Sequence, residues 1–337
     1  MKASMQSMRR AGFGRFGGSV FRRLALGRSV LRRWLHPVRL TGLAWAVFRA
    51  VLVIGISFVI VFPLLVRTSL ALREAADLLD RTVNWVPRRF TMLNFRIAMK
   101  HMSYIKSSVV TTAVCALLAL IEVSMCMVIG YGFARFKFRG SGLLFGLVIL
   151  SLIVPPSVLM VPLFLNFRYF TFFGLMEKPG LNLIGTSWPL VMMALTGTAK
   201  KNGLFIYIVR QYFRGIANEL EEAAYVDGAS PLRAFVSVMV PNAGPIVMIV
   251  FLFSFVWHWN DLFYSDLFLR GIQVLPLALQ SLTDRYLYSW ADPTIDESHI
   301  ALVSSAAMLL YIVPLLVLYT VLQRHFVESV EKTGIVG

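Results

Sequence analysis

The sequence predicts an all-α integral membrane protein with six transmembrane helices, and three observations carry that prediction. First, hydrophobic residues make up 58% of the 337 residues and charged residues only 15%, with a mean hydropathy of +0.71; soluble domains run about 45–50% apolar and about 25% charged. Second, six apolar stretches are each long enough for the roughly 20 helical residues that a bilayer requires. They run approximately Leu43–Val66, Ser108–Tyr131, Leu143–Leu165, Thr186–Val209, Pro245–Phe263 and Ile300–Leu322. Third, Met1 to Arg49 holds eleven Lys/Arg and no acid, so most of the net charge of +16 precedes or enters the first apolar stretch. Such a composition excludes a disordered, collagenous or disulfide-stapled secreted chain. The charge placement reads as a membrane-topology signal, with no nucleic-acid partner.

Taken in order, residues 1–42 form a basic cytoplasmic tail. Phe13, Phe16, Val20 and Leu24 stand at helical spacing among arginines, which suits a helix lying on anionic membrane lipid. Gly12, Gly14, Gly17 and Gly18 favour disorder instead, and an acid-free, Arg-rich start also mimics an organellar presequence. The first stretch, 43–66, is followed by a small-x-small Ser69-Leu70-Ala71, but its length is that of a retained helix and not of a signal peptide. An external loop, 67–106, comes next and carries a basic excess that runs against the topology rule. The tail and the short loop holding Arg135, Lys137 and Arg139 place both termini inside. In the second stretch Cys115 and Cys126 share a helix face but lie roughly 16 Å apart, too far to bridge. No metal site is expected. Pro155-Pro156 and Pro162 kink the third stretch, by packing or to line a gate. Gly197 and Gly203 bracket Lys200, Lys201 and Asn202 in the fourth, consistent with a broken helix at membrane depth. Residues 324–337 form the second cytoplasmic tail.

The loop between the fourth and fifth stretches, 211–241, is a polar island with complete helix punctuation. Asn218 is placed to N-cap a short helix, with Glu221 three residues on in a capping-box arrangement. Glu219, Glu221 and Glu222 put negative charge at its positive end. Gly228 falls where a left-handed residue would end it, and Ser230-Pro231 begin a second helix as N-cap and first turn. Small Ala223 and Ala224 permit close docking of another protein, with Leu220, Val226 and Phe235 as apolar anchors of this elbow.

Glu222-Ala223-Ala224, three residues, Gly228, nine residues, Val238, one residue, Val240-Pro241 is similar to the EAA loop of binding-protein-dependent ABC importer permeases. The family usually has Ile and Leu where Val238 and Val240 stand. From about Ser107 onward the chain resembles the sugar-importer class, in particular the maltose-type second permease subunit, through Gly180-Leu181-Asn182, Phe205–Gly228, Trp259-Asn260-Asp261 and the Thr333–Gly337 ending. The resemblance implies a type I ABC importer permease fold (MetI-like) over 107–323. It also implies an elbow seated in a groove of a cytoplasmic ATPase dimer. Glu221, Glu222, Ala223, Ala224, Gly228 and Pro241 would then be the ATPase-coupling residues. Further implied partners are a homologous second permease (a heterodimer), two ATPase copies and an external solute-binding protein, in a bacterial inner or plasma membrane. No Gly-x-x-x-x-Gly-Lys-Ser/Thr string is present, so ATP and Mg belong to the ATPase chain. This chain is expected to bind no cofactor and to carry no catalytic residue.

Candidate pathway residues are Glu122, Lys200, Lys201, Asn202, Trp257, Trp259, Asn260 and Asp261. An intramembrane carboxylate such as Glu122 is a functional candidate by default; the alternative is a buried Glu hydrogen-bonded to a neighbouring helix. Two adjacent lysines cannot face lipid, so they line a water-filled cavity or reach the cytoplasmic surface. Trp257, His258, Trp259, Asn260 and Asp261 suit a sugar, whose ring stacks on aromatic faces, and equally an interfacial aromatic belt. Two rival functions remain open: the same architecture carrying an amino acid or polyamine, and a proton-coupled carrier using Glu122.

Overall fold

A computed structural model describes residues 37–80, 85–172, 174–177, 179–289 and 297–334. The basic tail up to residue 36, residues 81–84 of the expected external loop, and residues 173, 178, 290–296 and 335–337 lie outside the described residues. The chain divides into two compact units, residues 1–65 and 66–337. The described part of the first is a single helix, the body of α1 (Pro37–Ala71). Its apolar side chains from Leu43 to Leu65 are exposed, as befits a helix whose solvent is lipid.

The second unit contains α2 (Ala76–Leu79), α3 (Leu93–His101), α4 (Tyr104–Arg135), α5 (Ser141–Ile153), α6 (Pro156–Arg168), α7 (Trp188–Leu195), α8 (Asn202–Gly215) and α9 (Glu219–Val226). It continues with α10 (Pro231–Ala234), a π-helical turn at Phe235–Met239, α11 (Val240–Asn242), α12 (Gly244–Trp259), α13 (Leu262–Phe268), α14 (Leu275–Gln280), α15 (Leu282–Ser289) and α16 (Glu297–Gly334). No strand occurs among the described residues, which fits the all-α prediction.

Helix α4 is the central element. It packs along α8 and α12, and also meets α7, α14 and α3, because apolar residues surround it without a polar stripe. Three clusters form the core around it. Met102, Ala119, Phe255 and Tyr286 lie in one, Val123, Cys126, Phe205 and Phe213 in a second, and Leu118, Phe167, Met193 and Phe268 in a third. Both cysteines are free and buried. Small residues set the closest approaches: a Cβ on Gly130 of α4 would lie 2.6 Å from Val209 Cγ1 of α8. One on Gly203 of α8 would lie 2.8 Å from the Val148 carbonyl of α5. This is the small-residue packing by which helices associate in lipid.

Three of the six expected spans are continuous helices long and apolar enough to cross a membrane, Thr41–Ala71, Tyr104–Arg135 and His299–Gln323. The third is broken and not merely kinked: α5 and α6 meet at 103°. Val154 and Pro155 are extended there, since a proline excludes the helical conformation from the residue before it and supplies no N–H. The fourth divides into α7 and α8 around Gly197, whose φ of +69° turns the chain, as the bracketing glycines predict. The fifth ends at Trp259, and Asp261 accepts a hydrogen bond from the Tyr264 N–H (3.1 Å) to start α13. The described part of the 67–106 loop is folded: Asn94 donates to the carbonyls of Ala71 (3.0 Å) and Arg73 (2.8 Å).

Gly203→Val is therefore expected to lower thermal stability in detergent by about 1–3 kcal/mol, the cost of overpacking. Gly132→Ala, which meets nothing within 4 Å, is expected to leave the melting temperature unchanged.

Candidate functional site: a polar cavity and an exposed elbow

The elbow is built as its punctuation predicts at one end and differently at the other. Helix α9 ends in a complete Schellman motif. The Gly228 N–H donates to the Tyr225 carbonyl (3.0 Å) and the Ala229 N–H to that of Ala224 (2.9 Å), with φ +82° at Gly228. Ser230 then caps α10 by accepting from the Arg233 N–H at 3.3 Å, with Pro231 in the first turn. The expected capping box at Asn218 does not form. Asn218 is itself helical and its side chain caps nothing; its Oδ1 accepts instead from the Arg135 guanidinium at the end of α4.

Glu221 turns the same way. Its Oε2 pairs with Arg135 Nε at 3.1 Å, the two side chains being 9% and 8% exposed. Its Oε1 accepts from the Tyr131 hydroxyl (2.6 Å) and the Tyr225 hydroxyl (2.5 Å). The physical reason is that bonds to a charged guanidinium are roughly twice as strong as neutral ones, and they outcompete a cap. The Tyr225 phenol is held above its ordinary pKa, first by its hydrogen bond to the Glu221 carboxylate. Of the three expected apolar anchors only Phe235 packs inward, its ring 4.7 Å from that of Tyr131. Leu220 and Val226 face out, 39% and 87% exposed. Glu222, Ala223, Gly228 and Pro241 are exposed and Ala224 is buried. Leu220, Ala223, Ala224, Asp227 and Arg233 border a shallow groove of about 390 Å³.

The second feature is a cavity of about 180 Å³ that gathers six of the eight expected pathway residues: Glu122, Lys200, Lys201, Trp257, Asn260 and Asp261. Lys200 Nζ lies 3.7 Å from Asp261 Oδ1. Lys201 Nζ sits 5.2 Å above the Trp257 ring, a cation–π arrangement. The Glu122 carboxyl is satisfied within the wall. Ser254 Oγ donates to it at 2.5 Å and His258 Nε2 lies 3.0 Å away, both from α12. This is the arrangement of a buried Glu bonded to a neighbouring helix. Trp257 stacks on Phe205 and Phe253 (5.2 and 5.8 Å), so its indole is already engaged by the protein.

Asn202 and Trp259 stand outside the cavity. Asn202 is wholly buried at the start of α8. Trp259 is wholly buried against Phe255 and Tyr311, whose hydroxyl donates to the Trp259 carbonyl at 2.6 Å. Ser254, His258 and Tyr264 also line the cavity. Ser254 is absent from the sequence-derived set, although its spacing of four from His258 puts both on one helix face.

Residues 126–332 match the family described as "binding-protein-dependent transport system inner membrane component". The chain belongs to that family. This permease is 27% identical over 290 residues to the arabinooligosaccharides transport system permease protein AraQ of Halalkalibacterium halodurans, covering 84% of this chain and 93% of that one. It is 30% identical to the maltose/maltodextrin transport system permease protein MalG of Yersinia pestis over 222 residues, 64% of this chain and 65% of the other. Among solved structures it superposes on a chain from the crystal structure of a bacterial ABC transporter involved in the import of the acidic polysaccharide alginate. The TM-score is 0.64 at 20% identity, with 85% of this chain and 98% of that chain covered. That likeness shows a shared fold, and the type I importer fold class expected from the elbow motif is the one observed.

A substitution at Gly228 tests the elbow's geometry. No atom within 4 Å obstructs a Cβ there, so Gly228→Ala is penalised by the left-handed backbone alone, about 1–2 kcal/mol. Limited proteolysis within 211–241 is expected to accelerate by roughly 5- to 30-fold, as that energy implies. Gly228→Asn recovers part of the loss.

Proposed function

We propose that this permease is the membrane-spanning subunit of an ABC importer that translocates a sugar or oligosaccharide delivered by an external solute-binding protein. The observation that carries the reading is an elbow, in a chain of this family, that turns Leu220, Ala223 and Val226 outward while being held from behind. An exposed apolar surface rimmed by polar residues marks a protein interaction site. In this reading the elbow faces the cytoplasm, both termini are cytoplasmic, and the membrane is a bacterial inner or plasma membrane. Glu222, Ala223, Ala224, Gly228 and Pro241 meet a separate ATPase, which hydrolyses ATP with Mg. Two ATPase copies and a homologous second permease complete the importer. Loaded binding protein docks on the loops 67–106 and 265–299, and nucleotide-driven closure alternates the exposure of the cavity by shifting a pre-existing equilibrium.

The sugar assignment draws support from the relatives that transport arabinooligosaccharides and maltodextrins. The cavity chemistry agrees with it. Asn260, Asp261, Lys200 and Tyr264 offer donors and acceptors suited to hydroxyl groups, whereas Lys200 and Lys201 would repel a polyamine. Pairing of Glu122 with Ser254 and His258 gives that carboxyl a structural role and weighs against a proton relay.

The assembled importer, in proteoliposomes with its binding protein, is expected to take up labelled maltotriose or arabinotriose only with ATP. Uptake should be indifferent to an uncoupler. Uptake that persists without the ATPase and collapses with the proton gradient would overturn the reading.

A further inference from the structure

Glu221 precedes the Glu222-Ala223-Ala224 motif by one residue and by position would be counted with it. Its side chain nonetheless leaves the face that Glu222 and Ala223 present and enters the protein. The Arg135 guanidinium reaches the elbow at three points: the Glu221 carboxylate, the Asn218 side chain and, at 2.8 Å, the Ile216 carbonyl. Tyr131, one turn earlier on α4, adds a fourth contact by donating its hydroxyl to the Glu221 carboxylate. These contacts bridge the Ile216-Ala217-Asn218 connector, where the elbow leaves α8; its other end turns by 77° into α12.

Helix α4 then runs thirteen residues back to Glu122, about 20 Å at 1.5 Å per residue, where Ser254 and His258 hold it to α12 at the cavity wall. One rigid helix is thus clamped to the elbow at one level and to the cavity at another. Breaking one partner of a buried ion pair leaves an uncompensated charge, so the clamp resists opening.

We propose that Arg135 and Glu221 are positioning residues that latch the elbow to α4, so that a displacement imposed on the elbow reaches the cavity wall instead of being absorbed at the connector. The proposal rests on the reading of the elbow as the ATPase-docking element. Glu221 then acts inside the permease, and its neighbours Glu222 and Ala223 act on the partner.

The test needs no knowledge of the transported solute. In the assembled importer with Cys115→Ala and Cys126→Ala, Asn260→Cys places a thiol at the cavity, and its rate of modification by a small maleimide is measured before and after trapping the ATPase with ATP and vanadate. With the latch intact the two rates are expected to differ within the usual range of allosteric coupling, about 5- to 150-fold. Glu221→Gln is expected to abolish the difference while the ATPase stays bound. A full difference in Glu221→Gln overturns the proposal. Should Glu221→Gln shed the ATPase, the charge-reversed pair Arg135→Glu with Glu221→Arg decides. The reversed pair regains the rate difference if the salt bridge is the latch. No difference in the reversed pair overturns the latch. Failure of the ATPase to bind the unaltered permease would instead count against the docking reading itself.

Discussion

A carboxylate taken out of water must be met by donors, and two such groups organise this permease. Glu122 and Glu221 are both buried, and a buried, unpaired charge costs several kcal/mol or more. Helix α4 answers both. It carries Glu122 to the donors of α12, and it carries Arg135 and Tyr131 to Glu221 of the elbow. The apolar packing around α4 supplies most of the contact area but little directional preference. The polar pairs decide which turn of α4 faces α12 and how the elbow is oriented.

That arrangement links the two candidate sites through one element. The cavity is assembled from the α7–α8 break, the end of α12 and the middle of α4. The elbow hangs from the end of α4, closed off by the left-handed Gly228 and restarted by Ser230. Lys200 and Lys201 are at the cavity because the chain breaks at Gly197 before α8 begins. Close approach of Gly203 and Gly130 to their neighbours then holds α8 beside α5 and α4. Irregular backbone at this depth is tolerated where it lines a cavity.

Much of this was legible in the sequence where the signal is local. Gly228, Ser230-Pro231 and Gly197 act through their own backbone conformations, so spacing alone locates them. The charged residues of the cavity and Asn260 stood out against an apolar background, whereas Ser254 and Tyr264 did not. Nor did the convergence of these residues, because it depends on how four helices pack. The orientation of Glu221 was hidden for the same reason: its partner Arg135 lies 86 positions earlier, and a local capping box was the only arrangement visible along the chain. Leu220 and Val226 misled in another way. An apolar residue on an elbow reads as an anchor when the chain is considered alone, yet here it faces outward, where a partner protein would cover it. The turn at Pro155-Pro156 was expected, but its size follows from Val154 and Pro155 both being extended.

In the proposed reading the elbow presents one face to a partner ATPase and commits the other to α4. A photo-crosslinking amino acid placed at Val226, and separately at Phe235, in the assembled importer tests it most directly. Val226 is predicted to capture the ATPase and Phe235 to yield only crosslinks within the permease. Capture of the ATPase from Phe235, or none from Val226 while the ATPase is bound, would contradict the account.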